Sequence, residues 1–333
     1  FFRTTTMVEQ AASTTTVDEQ SKELQSSKPE LSSLRLNFVL WNDDMTKDLT
    51  SNSKEVAELM RRAEWLVGKF QRSGFAHITR KASPSPTGND NDFIHNSTDA
   101  DELHTMINDV WTLATMAIVN NRADFGTLAL EQLHAFFIDQ DTGMNPRLTF
   151  PGGNATDLVD LYDMHRLLDA VALMQDKMPA GAVRAMKDWF GEYLSKVDEI
   201  KSHYHPSNTG LAGVGYDVLR MSIATWMGKS DIVKEQAADV QLRLEQAIKA
   251  DGKTPLPVGL QMDALAVAAE LAMRVGTNLW GHKTQVGGGS LINAVQALVT
   301  DANSKKQACE LYDRTIKLAV RYAAKVESGE IDA

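Results

Sequence analysis

A single cysteine, Cys309, stands in 333 residues. It excludes an internal disulfide framework and any cysteine-rich zinc site, but it leaves the compartment open, since an exported protein can do without disulfides. No apolar run approaches the roughly 18 residues of a spanning helix, so no membrane partner is expected. Basic residues are the minority charge, 34 against 44 acidic ones, for a net charge of −10. A nucleic acid would have to find a local basic patch against that field, and none is expected as partner. With 21 glycines and 9 prolines the chain is neither collagen-like nor a linker. Three motifs are missing altogether: G-x-S-x-G, G-x-x-x-x-G-K-[ST] and H-E-x-x-H. The serine-hydrolase elbow, the phosphate loop and the zinc-protease helix go with them, and the residue pattern calls for no cofactor and no metal.

What is present is an ordinary globular composition, 43% hydrophobic and 23% charged, apolar enough to bury a large core. Residues 4–33 are the exception. They are rich in Thr, Ser, Gln and Glu and cannot offset their own ordering entropy. Residues 1–45 read as a polar tail or pro-segment and 46–333 as one domain. From Ser53, a candidate helix cap, apolar residues recur at helical spacing: Val56, Leu59, Met60, Ala63, Leu66, Val67 and Phe70. Loops read at 83–92 and 142–153, where prolines, glycines and turn residues gather. Further helices read at 98–117, 124–138, 155–177, 180–202, 214–228, 229–250, 260–276, 289–300 and 303–328. No period-2 segment bounded by turns appears, and no repeat of fixed period. The fold class is therefore all-α: antiparallel helical hairpins packed as an α/α toroid or an irregular bundle.

The densest polar cluster is His203-Tyr204-His205-Pro206-Ser207-Asn208-Thr209-Gly210, ahead of Tyr216. Three readings stand: a solvated helix end, where histidines favour the negative pole of the dipole; sugar or acid–base chemistry; and an H-x-H metal pair lacking a third ligand. His165 and Arg166 read as an ion-paired helix face with Asp163 and Asp169. Arg147, after Asn145-Pro146, sits in a loop, where arginines clamp carboxylates. Trp65, Trp111, Trp189 and Trp226 lie inside helices and read as core. Trp280, just past a helix end, reads either as a lid or as an aromatic platform.

The order of the loops carries a resemblance. Phe136-Phe137-Ile138-Asp139-Gln140-Asp141-Thr142-Gly143-Met144-Asn145-Pro146-Arg147-Leu148 is similar to the stretch "wFLdpaTrMNPnL" of the alginate lyase (polysaccharide lyase) domain family. Pro151-Gly152, Leu167-Leu168-Asp169-Ala170-Val171, Trp189-Phe190-Gly191-Glu192-Tyr193-Leu194 and Gly276-Thr277-Asn278-Leu279-Trp280 follow its "PG", "LLDAV", "WF..YL" and "GvDLW" in order. Ser85 to Phe93 resembles "PPSGDKHDY". The resemblance covers roughly residues 50 to 300.

It implies an α/α toroid with a cleft for an acidic polysaccharide or oligosaccharide, cleaved by β-elimination. It also implies an extracellular or periplasmic place, with any leader already removed. The C5 proton of a uronate becomes acidic only when its carboxylate is neutralised; a His or Tyr then removes it, and a Tyr can protonate the leaving oxygen. Onto this sequence the roles fall as His205 base, Asn208 neutraliser and Tyr216 acid, with Asn145, Arg147, His203 and Trp280 binding substrate. The sequence departs from the family pattern at just these places. Aligned without gaps, the "NNH" positions hold Gly210, Leu211 and Ala212; with an insertion, Ser207-Asn208-Thr209-Gly210 takes their place and the histidine is gone. Asn91 replaces the "KHDY" histidine, and the "RT.S..YS" segment is deleted between Pro257 and Met262. The resemblance thus implies a divergent member with degenerate catalytic motifs, a lyase or a non-catalytic carbohydrate- or protein-binding relative.

Overall fold

A computed structural model of the chain describes residues 36–75, 98–144, 163–204, 210–248, 258–285, 288–304 and 313–331. Among them there is no strand. The α-helices are α1 (Asp43–Ser51), α2 (Ser53–Ser73), α3 (Thr98–Val119), α4 (Ala123–Leu133), α5 (Met164–Met174), α6 (Ala180–Glu199), α7 (Leu211–Trp226), α8 (Ser230–Ala247), α9 (Val258–Met273), α10 (Leu291–Ser304) and α11 (Asp313–Glu327). A π-turn over His134–Ile138 extends α4, and a 3-10 turn over Lys201–Tyr204 follows α6.

Helix composition sorts the elements into two layers. In α5, nine of eleven residues are buried, and in α7 thirteen of sixteen. Helices apolar all round must be covered all round. By contrast α6 and α8 bury seven residues each, of 20 and 18, one stripe apiece. The contacts follow suit. α3, α5, α7 and α9 lie side by side in that order, with α11 against α9. α2 and α4 back onto α3, α6 onto α7, α8 onto α7 and α9, and α10 onto α9 and α11. This alternation of inner and outer helices is an α/α toroid. The C-terminal ends of α3 and α5 come level at Gly126 of α4, where a Cβ would approach Met174 Cε to 2.8 Å and Ala117 Cβ to 3.5 Å.

Ser53 is the first residue of α2, and the cap is Asn52: its side chain accepts from the Glu55 amide at 3.1 Å. Either residue suits a cap chemically; the tight Leu49–Asn52 turn that ends α1 decides between them. Asn52→Ala should cost about 1 kcal/mol in a urea titration, with Ser53→Ala near neutral.

The sequence gives no sign of what precedes α1. Residues 36–41 form a strap across the C-terminal ends of the inner helices. The Leu36 amide donates to Gln175 Oε1 (2.9 Å), the Asn37 amide to the Trp226 carbonyl (3.1 Å), and Arg274 Nη1 to the Phe38 carbonyl (2.8 Å). The next three amides, of Val39, Leu40 and Trp41, converge on the carboxylate of Asp169 at 2.5, 2.9 and 3.0 Å. Leu36, Val39, Leu40 and Trp41 are buried. The body therefore takes in residues that read as tail. The expected Asp169 ion pair on a helix face gives way to this strap.

Candidate active site

The stretch that most resembles a family motif is held rigidly where it can be described. The π-turn ends at Asp139, whose half-buried carboxylate accepts the amides of Asp141 and Thr142 at 2.8 and 2.9 Å; these bonds hold its pKa below the usual carboxylate range. The turn closes so tightly that a Cβ on Gly143 would lie 2.4 Å from the Asp139 carbonyl oxygen. Met144 is then pinned twice: its amide donates to the Phe136 carbonyl and the Trp189 indole donates to its carbonyl, both at 2.7 Å. Trp189 is core, packed edge-on to Phe137 and Phe190. Asn145 and Arg147 follow directly and lie outside the described residues.

The same holds around the polar cluster. His205 and Asn208 lie outside the described residues, and His203 is described only as backbone of the 201–204 turn. Tyr204, between the two histidines, is described. Its ring stacks on Tyr216 of α7, centroids 5.1 Å apart and planes at 11°. The structure thus brings Tyr216 beside the turn that leads into His205. The Tyr216 phenol is 1% exposed, and its hydroxyl has no hydrogen-bond partner among the described residues. Burial pushes its pKa well above the ordinary phenol range, so it stays protonated. One helical turn on, Arg220 is tied to Asp198 (2.7 Å), Gln236 (2.9 Å) and Glu235 (2.9 Å). The neighbouring Asp217 forms a buried pair with Arg243 at 2.7 Å.

Trp280 is 0% exposed. Its indole donates to Glu270 Oε1 at 2.8 Å, and its ring stacks on Tyr322 at 5.8 Å. The ring is enclosed in the interior and its N–H is spent on Glu270, so it presents no open aromatic face. Trp65, expected in the core, is 56% exposed on α2, under Lys69 Nζ.

A cleft that the sequence did not point to lies where α1 and α2 meet α3, α5 and α11. Its volume is about 440 Å³, within the range of small-molecule sites. Its floor is aromatic: Trp41 of the strap meets Trp111 of α3 edge-on, centroids 5.3 Å apart. Over Trp111 sits the guanidinium of Arg166, 5.5 Å from the ring centre, with Nη1 bonded to Asn108 Oδ1 at 2.9 Å. Lys317 lines the wall from α11 and Glu55 from α2, two cations to one anion in a chain of net charge −10. From sequence alone Arg166 reads as part of an ion-paired helix face and Trp111 as core. Trp41, Thr115 and Lys317 carry no local signal, since only the tertiary fold gathers them. Among the described residues no group of three metal-ligating side chains occurs, and no helix is long and apolar enough to cross a membrane.

The sequence profile of the alginate lyases matches residues 45–308. The chain belongs to the alginate lyase family. A crystal structure of an alginate lyase from Bacteroides ovatus shares the toroid at a TM-score of 0.67, with 18% sequence identity, over 88% of this chain and 93% of that one. No curated protein matches. The family match opens four residues past the strap, so Trp41, whose indole floors the cleft, lies just outside it.

Proposed function

We propose that this alginate lyase family member is an exported protein that binds uronate-containing polysaccharide and cleaves it by β-elimination. The observation that carries the reading is the cleft: cationic and aromatic side chains gathered inside the toroid of a strongly acidic chain, the chemistry an anionic sugar needs. Asn208 neutralises the carboxylate of the bound uronate. His205 takes the C5 proton, the electron pair of that bond becomes the C4–C5 double bond, and the C4–O bond breaks. The leaving oxygen takes its proton from Tyr216, which burial keeps protonated at any working pH. The stack on Tyr204 supports this grouping, because it ties Tyr216 to the turn next to His205.

A second reading is favoured by two observations. The Tyr216 hydroxyl is buried, and Gly210, Leu211 and Ala212 occupy the ungapped positions of the family's Asn-Asn-His, so the protein would bind the same polymer without cutting it. The two readings part in one assay. The protein is incubated with polymannuronate, polyguluronate, glucuronan and pectate, and ultraviolet absorbance of the unsaturated product is followed. Absorbance rising with one polymer, and at least a hundredfold slower in His205→Ala and Tyr216→Phe, is the expected result; each variant removes a proton-transfer group of the kind that contributes roughly 10²–10⁴-fold. A flat trace from folded protein that still binds the polymer overturns the enzyme and leaves the binder.

A further inference from the structure

Trp65 is the tryptophan that the fold leaves outside. It is 56% exposed, whereas Trp41, Trp189, Trp226 and Trp280 are buried and Trp111 is half-buried. A bare indole keeps a large apolar surface in water, a loss that a stacking partner would recover. Side chains three, four, seven or eleven positions away share its face of α2. There stand five cations, Lys54, Arg61, Arg62, Lys69 and Arg72, and one exposed carboxylate, Glu58. In a chain of net charge −10, this side of one helix is basic.

Three of these cations are set in place. Asp109 of α3, 1% exposed, pairs with Arg62 at 3.2 Å and with Lys69 at 2.8 Å, so one buried carboxylate holds both. Lys69 Nζ stands 5.7 Å from the centre of the indole. Arg72 folds back over Gly68, where a Cβ would lie 3.1 Å from its Nη1; the missing side chain lets that guanidinium rest on the helix within one turn of Trp65. None of Arg61, Arg62, Trp65, Lys69 and Arg72 lines the cleft.

We propose that this outer face of α2 is a second binding site, an anchor that holds a strand of anionic polysaccharide outside the cleft. One sugar ring stacks on Trp65, and acidic groups of the neighbouring rings meet the cations before and after it. Arg61 to Arg72 covers about 16 Å of helix axis at 1.5 Å per residue, so the site suits a strand rather than a single ring. Other occupants fit less well. A lipid surface or a protein partner needs several apolar side chains side by side, and Trp65 has no large apolar neighbour at the positions that share its face. Duplex nucleic acid carries a charge every roughly 1.7 Å of axis, far denser than cations about a helical turn apart, and the chain's overall charge repels it. The inference rests on the acidic-glycan reading above, but neither the cleft nor elimination is a premise of it. Its consequence is avidity: a polymer anchored on α2 is presented to the cleft at a raised local concentration.

The test uses native affinity electrophoresis of the full chain. One gel carries polymannuronate. A second carries carboxymethylcellulose, whose carboxylates hang from ether arms and cannot undergo elimination. A third carries neutral hydroxyethylcellulose. Both acidic polymers should retard the protein and the neutral one should not. Trp65→Ala should weaken the retardation at least fivefold and Arg72→Gln at least threefold, with melting temperatures level because both side chains are exposed. Trp65→Phe keeps a ring and should recover part of the loss. Leu242→Ala, an equally exposed apolar residue on α8, should change nothing. Trp65→Ala retarded like wild type overturns the proposal, as does equal retardation by the neutral polymer. Duplex DNA or phosphatidylglycerol vesicles bound through Trp65 more tightly than either acidic polymer would also overturn it. The lyase assay separates this site from the reading above. Where product forms, Trp65→Ala should raise KM for the polymer at least threefold and leave kcat and the KM for a trisaccharide level; an equal rise for both substrates overturns the anchor. A flat lyase trace with Trp65-dependent retardation supports the anchor and removes the elimination reading, whereas product formation with Trp65→Ala retarded like wild type removes the anchor and keeps the lyase.

Discussion

Asp169→Ala should cost about 3–5 kcal/mol of folding free energy and release the strap. Three consecutive backbone amides, of Val39, Leu40 and Trp41, have this one carboxylate as their acceptor, and the carboxylate is buried. A buried donor left unsatisfied costs about 1–3 kcal/mol. Three at once rival the roughly 1.5–3 kcal/mol with which each of the large buried side chains Leu36, Val39, Leu40 and Trp41 holds the strap down. The strap should therefore loosen and let water reach the amides, which keeps the loss toward the lower part of the summed penalty. Urea denaturation should report the cost, and limited proteolysis should find new cleavage within residues 36–41. Asp169→Asn keeps one acceptor oxygen and should lose about half as much.

The same carboxyl gives a pH dependence of defined sign. Burial pushes its pKa up to about 6, against the downward pull of the three amides. A carboxyl whose folded pKa is raised contributes stability that is fully present below the unfolded value of about 3.9 and is lost as pH rises through about 6. Asp169→Asn removes the titration. The stability gap between wild type and this variant should therefore be wider at pH 4 than at pH 7, by on the order of 2 kcal/mol. Denaturant titrations of both proteins at the two pH values check it, and a gap that widens toward neutral pH would show that the amides outweigh burial.

Periodicity made the toroid legible. The helices at 180–199, 211–226, 230–247 and 258–273 stand within a few residues of where their apolar spacing puts them, because inner and outer helices differ in how much of their circumference is apolar. The strap escaped notice because six residues are too few to show a period, and what holds Leu36–Trp41 is a side chain some 130 positions away. Asp169 itself was visible inside the Leu167–Val171 resemblance, but a sequence cannot tell a carboxylate that pairs on a surface from one that gathers amides in a core. The cleft is harder still. Trp41, Thr115, Arg166 and Lys317 come from four elements spread over most of the chain, and each is ordinary in its own helix. The family motifs pointed to loops; the cleft is built from helix faces, which a motif does not encode.

Arg243 should prove the most sensitive position in the outer layer. Its guanidinium, 0% exposed, donates from Nε to Asp217 Oδ2 at 2.7 Å and from Nη2 to Asp217 Oδ1 at 3.1 Å, and Nη2 also reaches the Tyr204 carbonyl at 3.2 Å. Asp217 accepts a further bond from Gln236 Nε2 at 2.7 Å. Breaking such a pair from one side strands the other charge in the interior, at about 3–5 kcal/mol. Arg243→Met should show that loss in urea denaturation. Arg243→Lys should recover only part of it, since an ammonium lacks the fork that grips both oxygens. Replacing both partners, Arg243→Met with Asp217→Leu, should cost less than the methionine variant alone, because no charge is left without a partner; a cost equal to the sum of the single losses would mean that the pair contributes through packing. The pair also reaches toward the site. It fixes the Tyr204 carbonyl, hence the ring that stacks on Tyr216 and the turn that leads to His205. Arg243→Lys, which keeps the charge, should therefore lower lyase turnover by more than its modest stability loss explains, measured well below its melting temperature, and an unchanged rate would confine Arg243 to holding α7 against α8.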